Sequence, residues 1–133
     1  MSQLLLVFAN ALMTRTSDPV NTNQTGTSYK IIDVPDGPDQ TWAFEVQILT
    51  LAAGTNPTAK IVFETSSDGV GWWTAAESTV QTGAGSLSER KALPATGIGR
   101  YIRARLVLGG DVNGNALYVV NLVSDRTFKL LAA

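Results

Sequence analysis

The chain has 133 residues and a formal net charge of −1. It is long enough to bury the core of one domain, and it has no overall field that would attract nucleic acid or an anionic membrane. It contains no cysteine and no histidine, which excludes disulfides, thiolate metal sites and catalysis with histidine as general base or metal ligand. We therefore expect a binding or structural protein, not an enzyme, without a cofactor, a metal or catalytic residues.

The N-terminal quarter joins a short apolar run to a long polar segment. Leu4–Phe8 has no basic residue before it and is far shorter than a membrane span, so it predicts a first buried strand. Residues 9–28 predict an extended loop or arm that reaches toward a neighbour. Tyr29–Val34 predicts the second strand, because the prolines after it cannot donate to a ladder. No linker is apparent, and we expect a single domain over 1–133.

The strongest strand signal is Thr41–Leu51. Trp42, Phe44, Val46 and Ile48 alternate with smaller or more polar residues. A period of two places these large side chains on one face, which we expect to be the core face.

The next strand, Lys60–Thr65, alternates in the same way, with Ile61 and Phe63 inward. The Asp-Gly pair that follows readily adopts the positive φ angles of tight hairpins. Trp72 then begins the return strand, and a further short strand is expected around Ser86–Ser88.

The C-terminal third alternates again. Gly99–Leu108 predicts a strand, the Gly- and Asn-rich residues 109–114 predict a hairpin, and Leu117–Ser124 predicts the returning strand. Thr127–Leu131 predicts a last short strand. About eight short strands with turn residues between them predict an all-β antiparallel sandwich. In the strand predicted at Gly99–Leu108, the side chains expected to face the core are Ile102, Ala104, Leu106 and Leu108.

Two segments carry a resemblance to a known family. The stretches IVFETSSDGVGWW (61–73) and GRYIRARLVL (99–108), followed by a Gly/Asn hairpin, resemble discoidin-like, galactose-binding-like jelly-roll domains of tailed-phage virion proteins. The similarity covers about residues 58–124. It implies a jelly-roll-like sandwich that acts as a capsid decoration (cement) protein, with the major capsid protein or other virion subunits as partners. It also implies a homo-oligomer, a trimer or dimer, on the capsid surface of the virion, soluble in the host cytoplasm before assembly.

Trp72 and Trp73 are the first candidates for partner contact. Adjacent residues of a strand point to opposite sides, so one indole is expected to enter the core. The other is expected to lie at an interface or under the loop 77–91. Exposed tryptophan is enriched at binding hot spots, and it also stacks on sugars, so a carbohydrate-binding module is the alternative function and a glycan the alternative ligand.

Tyr101, Arg103 and Arg105 form the second candidate, because they share one face of their strand. Their guanidinium groups are suited to phosphate or to bidentate contact with carboxylates of a partner subunit. A solvated face paired with acidic residues of an adjacent strand is the alternative. No run of stacking aromatics accompanies them, so nucleic acid is not expected as a partner.

The carboxylates give no stronger signal for chemistry. Glu45 and Glu64 are expected on outward, exposed faces, where a carboxylate suits solubility more than acid catalysis. Two groups of Asp and Asn residues carry the oxygen ligands that a calcium site would need. We expect both groups to form turns and not to bind a metal. These groups are Asp33, Asp36 and Asp39, and Asp111, Asn113 and Asn115.

Overall fold

The computed structural model describes residues 11–30, 42–51, 56–83, 85–94, 97–110 and 116–124. The strands predicted at 4–8 and 127–131 and the oxygen-ligand groups at 33–39 and 111–115 lie outside these residues. The described part of the chain has ten strands and no helix, hence none that could cross a membrane. The strands are β1 (Ala11–Arg15), β2 (Gln24–Thr25), β3 (Tyr29–Lys30), β4 (Trp42–Leu51), β5 (Thr58–Ser66), β6 (Trp72–Glu77), β7 (Gln81–Thr82), β8 (Gly85–Ala92), β9 (Tyr101–Gly109) and β10 (Leu117–Ser124).

These strands form two antiparallel sheets packed as a sandwich, as predicted. One sheet has the order β1-β10-β4-β8, and the other has β9 and β5 at its centre. β2 and β3 both pair with β9, and β6 and β7 both pair with β5, so the ten strands occupy eight positions. Numbered along the chain, the first position (β1) pairs with the eighth (β10), and the second (β2 and β3) pairs with the seventh (β9). The third (β4) pairs with the sixth (β8), and the fourth (β5) pairs with the fifth (β6 and β7). This rolled pairing is the jelly-roll arrangement.

The core lies between the sheets and follows the predicted alternation. Phe44, Val46 and Ile48 of β4 are fully buried, and the rings of Phe44 and Phe63 stack with centroids 5.4 Å apart. Burial of such side chains is the main stabilising contribution to the sandwich, at roughly 1.5–3 kcal/mol for each large apolar residue. The remaining buried cluster consists of Met13, Ala59, Ile61, Ile102, Ala104, Leu106, Ala116, Tyr118, Val120 and Leu122, with Leu108 packed against it.

The described part of the predicted loop or arm, residues 9–28, belongs to the sandwich. β1 pairs with β10, Val20 forms a bridge with Ala116, and β2 pairs with β9. Met13 is the residue that holds β1 in place, because its side chain is 1% exposed in the core. The expectation of an extended arm is therefore wrong for residues 11–15 and 24–25. The polar composition of this segment reflects short edge strands with one buried anchor.

The hairpin predicted between β9 and β10 is also wrong. The bounds of β10 agree with the prediction, but β10 pairs with β1 and β4 in the opposite sheet. β9 has no free edge to offer, because β2 and β3 occupy one side and β5 occupies the other. The chain from β9 to β10 therefore crosses between the sheets.

β8 is longer than the short strand expected around Ser86–Ser88. It pairs with β4 alone, and Glu89 lies opposite the core residue Val46. Burial raises the pKa of Glu89, but hydrogen bonds from the backbone and hydroxyl of Thr79 outweigh this effect and leave the pKa lowered. An inward-pointing charge on an edge strand discourages pairing with other chains. Such a strand has no apolar alternation to reveal it in the sequence.

Candidate functional site

The outer surface of the six-stranded sheet carries most of the predicted contact residues. Facing residues of antiparallel strands project to the same side. Arg103 of β9 faces Glu64 of β5, and Arg105 faces Val62. Trp72 of β6 lies opposite Ser66, which is two residues after Glu64 on β5, so Trp72 projects to the same side as Glu64. We call the surface formed by Glu64, Trp72, Arg103 and Arg105 the arginine face.

Arg103 is held from two directions. Its Nε lies 2.8 Å from Oε1 of Glu64, and its guanidinium carbon lies 4.1 Å from the centroid of the Trp72 ring. A guanidinium group over an indole gains about 0.5–2 kcal/mol from cation–π attraction. Arg103 thus pairs with an acidic residue of the adjacent strand. This pairing was the alternative to contact with a partner subunit.

Arg105 is bound less completely. Its Nη2 lies 3.6 Å from Oε2 of Glu64, which is too long for a good hydrogen bond. Its Nε is buried and has no hydrogen-bond partner, although 37% of the side chain is exposed. The two arginines therefore share one carboxylate unequally.

Glu64 is buried, which corrects the expectation of an exposed carboxylate. It is 7% exposed, because the side chains of two arginines and neighbouring strands enclose it. Glu45 lies in the other sheet, where its Oε2 is 3.7 Å from Nη1 of Arg90. The two carboxylates project from opposite outer surfaces of the sandwich and cannot act on the same bond.

One end of the sandwich is built around the turn between β5 and β6, as the Asp-Gly signal predicted. Oδ1 of Asp68 accepts from the backbone N–H groups of Val70 and Gly71, at 2.8 and 3.0 Å. Ser66 Oγ accepts from the N–H of Gly69, whose φ is +80°. The bonds from Gly71, Val70 and Ser66 lower the pKa of Asp68. The turn is consequently a fixed structure.

This turn presents apolar groups to solvent. Val70 at its tip is 82% exposed and Trp73 is 43% exposed. The indole Nε1 of Trp73 donates to the carbonyl of Gly97 at 3.0 Å, and the N–H of Gly99 donates to Oγ1 of Thr65 at 2.7 Å. We call residues 66–71 and Trp73, together with 97–99, the apolar tip.

The two tryptophans do point to opposite sides, but neither is buried in the core. Trp73 faces the inner side, opposite the buried Thr65, yet it lies at the open end of the sandwich. Trp72 is half-buried on the arginine face. For the second indole, cover by the loop 77–91 was the alternative to an interface. Instead, the contact to Trp73 comes from Gly97, and most of 77–91 is strand.

Tyr101 joins the two surfaces. It lies opposite Ser66 on the outer side, and its ring packs near Gly69. The five predicted contact residues therefore divide into the arginine face (Trp72, Arg103, Arg105), the apolar tip (Trp73) and the junction between them (Tyr101). The exposure of Val70 was not predicted, because nothing in its neighbouring residues signals that a turn valine is left exposed.

The described residues offer no group of three acidic side chains placed to hold a metal ion. The two surfaces offer guanidinium donors, exposed apolar side chains and indole rings. Comparisons with protein-family models, with curated proteins and with solved structures gave no match.

Proposed function

We propose that the protein is a non-enzymatic virion structural protein, a capsid decoration (cement) protein that binds and stabilises the shell of a tailed phage. The jelly-roll strand order supports this proposal, since the architecture recurs in viral capsid and lectin domains. The major capsid protein or another virion subunit is the proposed partner. A dimer or trimer on the capsid surface, formed after a soluble stage in the host cytoplasm, is the proposed assembly.

The observation that carries the proposal is the exposed Val70 on a turn held by several internal hydrogen bonds. Ordering a flexible loop costs binding energy, and a loop already fixed in its bound shape avoids that cost. The bonds to Asp68 hold the backbone of Val70 in place before any partner arrives. Trp73 adds an aromatic group of the type that dominates protein interfaces.

The test is co-sedimentation of the protein with capsids assembled from the major capsid protein of the same source. Val70→Asp places a charge in the proposed contact and should weaken capsid binding at least tenfold. Val80→Asp is the matched control, because Val80 is also exposed, at 46%, and lies beyond the other end of β6. Equal binding by both variants would contradict the assignment of the tip, and absence of binding by the unchanged protein would contradict the function.

The alternative is a carbohydrate-binding module, which the exposed indole of Trp73 favours. Its Nε1 is engaged by Gly97, so the ring is held in a fixed orientation and is available for stacking on a sugar. A glycan array would show saturable binding that Trp73→Ala abolishes and Val80→Asp leaves intact. Capsid binding that free sugars do not inhibit would instead support the virion role.

A further inference from the structure

The arginine face has more hydrogen-bond donors than its acidic residue can serve. Within the described residues, Glu64 is the one carboxylate paired with Arg103 and Arg105, and a carboxylate cannot satisfy two complete guanidinium groups. Arg103 takes the short contact of 2.8 Å and the Trp72 ring. Arg105 is left with a contact of 3.6 Å and a buried Nε without an acceptor.

The surroundings of Arg105 are suited to an anion. Thr25 of β2 lies directly opposite Arg105 on the same side of the sheet, and it is exposed. The described outer side of this sheet carries four cations and two carboxylates, a surplus of two positive charges on a chain whose net charge is −1. These groups are Lys30, Lys60, Arg103 and Arg105, with Glu64 and Glu77.

We propose that Arg105, assisted by the hydroxyl of Thr25, is the receptor for a carboxylate carried by a protein partner. The planar fork of a guanidinium group matches a carboxylate in a bidentate arrangement. The identity of the carrier rests on the proposed function, whereas the receptor itself does not. In this arrangement Glu64 remains with Arg103, and the incoming carboxylate binds the exposed part of the Arg105 side chain, which amounts to 37% of its surface.

A nucleic acid fits the same surface less well. Backbone recognition of a polyanion uses several phosphate contacts and, for single strands, stacking aromatics. Here Lys60 is engaged by Glu77 at 2.9 Å, and the Trp72 ring is engaged by Arg103. Arg105 is the incompletely bonded cation beside Thr25, and one guanidinium group of this kind suits one carboxylate.

The experiment is a nuclear magnetic resonance titration of the ¹⁵N-labelled full chain with sodium acetate, observing the arginine Nε–H signals at constant ionic strength. The Arg105 signal should shift saturably, by more than that of any other arginine. Arg105→Lys keeps the charge but removes the fork together with its own signal, so the backbone amide of Thr25 and the Nε–H of Arg103 are the reporters for this variant, and their saturable shifts should be abolished. Thr25→Val should weaken acetate binding severalfold, whereas Arg15→Lys, on the other sheet, should leave it unchanged.

A second arm uses an acetylated aspartate peptide and a short DNA oligonucleotide. The peptide should saturate the Arg105 signal as acetate does. Equal, non-saturating shifts of all arginine signals, or stronger binding of DNA than of the peptide at Arg105, would overturn the proposal. Acetate binding without capsid binding would leave the receptor standing and remove the decoration role. If instead the protein bound capsids, Arg105→Lys did not change that binding, and acetate caused no shift, the carboxylate receptor would be refuted and the decoration role would stand.

Discussion

Arg103 and Glu64 face each other directly across β9 and β5, with Nε of the arginine 2.8 Å from Oε1 of the glutamate. Glu64 is 7% exposed, and the ring of Trp72 lies beside the guanidinium group of Arg103. A charge this far from water is stable only while it is paired and hydrogen-bonded. The pair is therefore a structural element of the six-stranded sheet as well as part of a candidate contact surface.

Replacing Glu64 with glutamine should destabilise the protein by about 2 kcal/mol, somewhat less than the roughly 3–5 kcal/mol lost when a fully buried pair is broken. The substitution keeps the size of the side chain but leaves Arg103 and Arg105 as neighbouring, unneutralised cations. Urea unfolding at neutral pH measures the change. Glu77→Gln is the matched control, because its pair with Lys60 is largely exposed and should contribute under about 1 kcal/mol. Equal losses would show that the burial of Glu64 has no energetic consequence.

The alternation of side chains predicted which residues of β4, β5 and β9 face the core, because each face of a strand meets one environment. It did not predict the sheet to which β10 belongs. Alternation specifies faces, whereas the pairing of Val120 with Val46 depends on which strand edges remain free. The burial of Glu64 was missed for the same reason, since it depends on Arg103 lying opposite. Period two placed Trp72 and Trp73 on opposite sides of β6, but it did not show that neither indole enters the core, because burial depends on which neighbouring elements cover each ring.

Asp68 should make the protein less stable in acid through its turn. Its pKa is lowered by hydrogen bonds from Gly71, Val70 and Ser66. A carboxyl with a depressed folded-state pKa stabilises the fold fully above its unfolded pKa. That contribution begins to fall as the pH drops below the ordinary value of 3.8 and is lost as the pH passes through the folded-state value.

Melting temperatures of the unchanged protein and of Asp68→Asn, measured between about pH 7 and pH 2, test this prediction. The variant should melt lower near neutral pH, and the gap should close in acid. Asp18→Asn, at an exposed aspartate on the β1–β2 connection, controls for the general loss of one negative charge. A gap that stays constant across the range would show that ionisation of Asp68 does not stabilise the turn.

Gly99 should tolerate no side chain, because a Cβ atom there would overlap the carbonyl oxygen of Ser66. Gly99→Ala should cost about 1–3 kcal/mol through this overpacking. It should also move the backbone that holds Thr65 and Trp73, and so shift the tryptophan fluorescence. Gly71→Ala is the control within the same tip, since a Cβ at Gly71 meets nothing within 4 Å. Its stability should change by less than about 0.5 kcal/mol, and similar losses for both variants would contradict the prediction.

Tyr118 should limit stability in alkali. The ring is 2% exposed in the core, and burial raises its pKa above 10.0, partly offset by the hydrogen bond with Thr14 Oγ1 at 3.2 Å. A raised folded-state pKa gives a contribution that is complete below the unfolded value and is lost as the pH rises through the folded value. Tyr118→Phe should therefore be less stable than the unchanged protein near pH 7, by about 0.5–1.5 kcal/mol for the lost bond.

Near about pH 11 the difference should narrow, because phenylalanine has no proton to lose, whereas the unchanged protein must keep Tyr118 protonated in the core while the unfolded chain ionises. Urea unfolding at the two pH values measures both differences. Thr14→Val is the matched control, since it removes the same hydrogen bond and keeps the phenol. It should therefore lose stability in alkali at least as steeply as the unchanged protein does. If Tyr118→Phe instead lost stability as steeply as Thr14→Val, the alkaline transition would have to be assigned to another group.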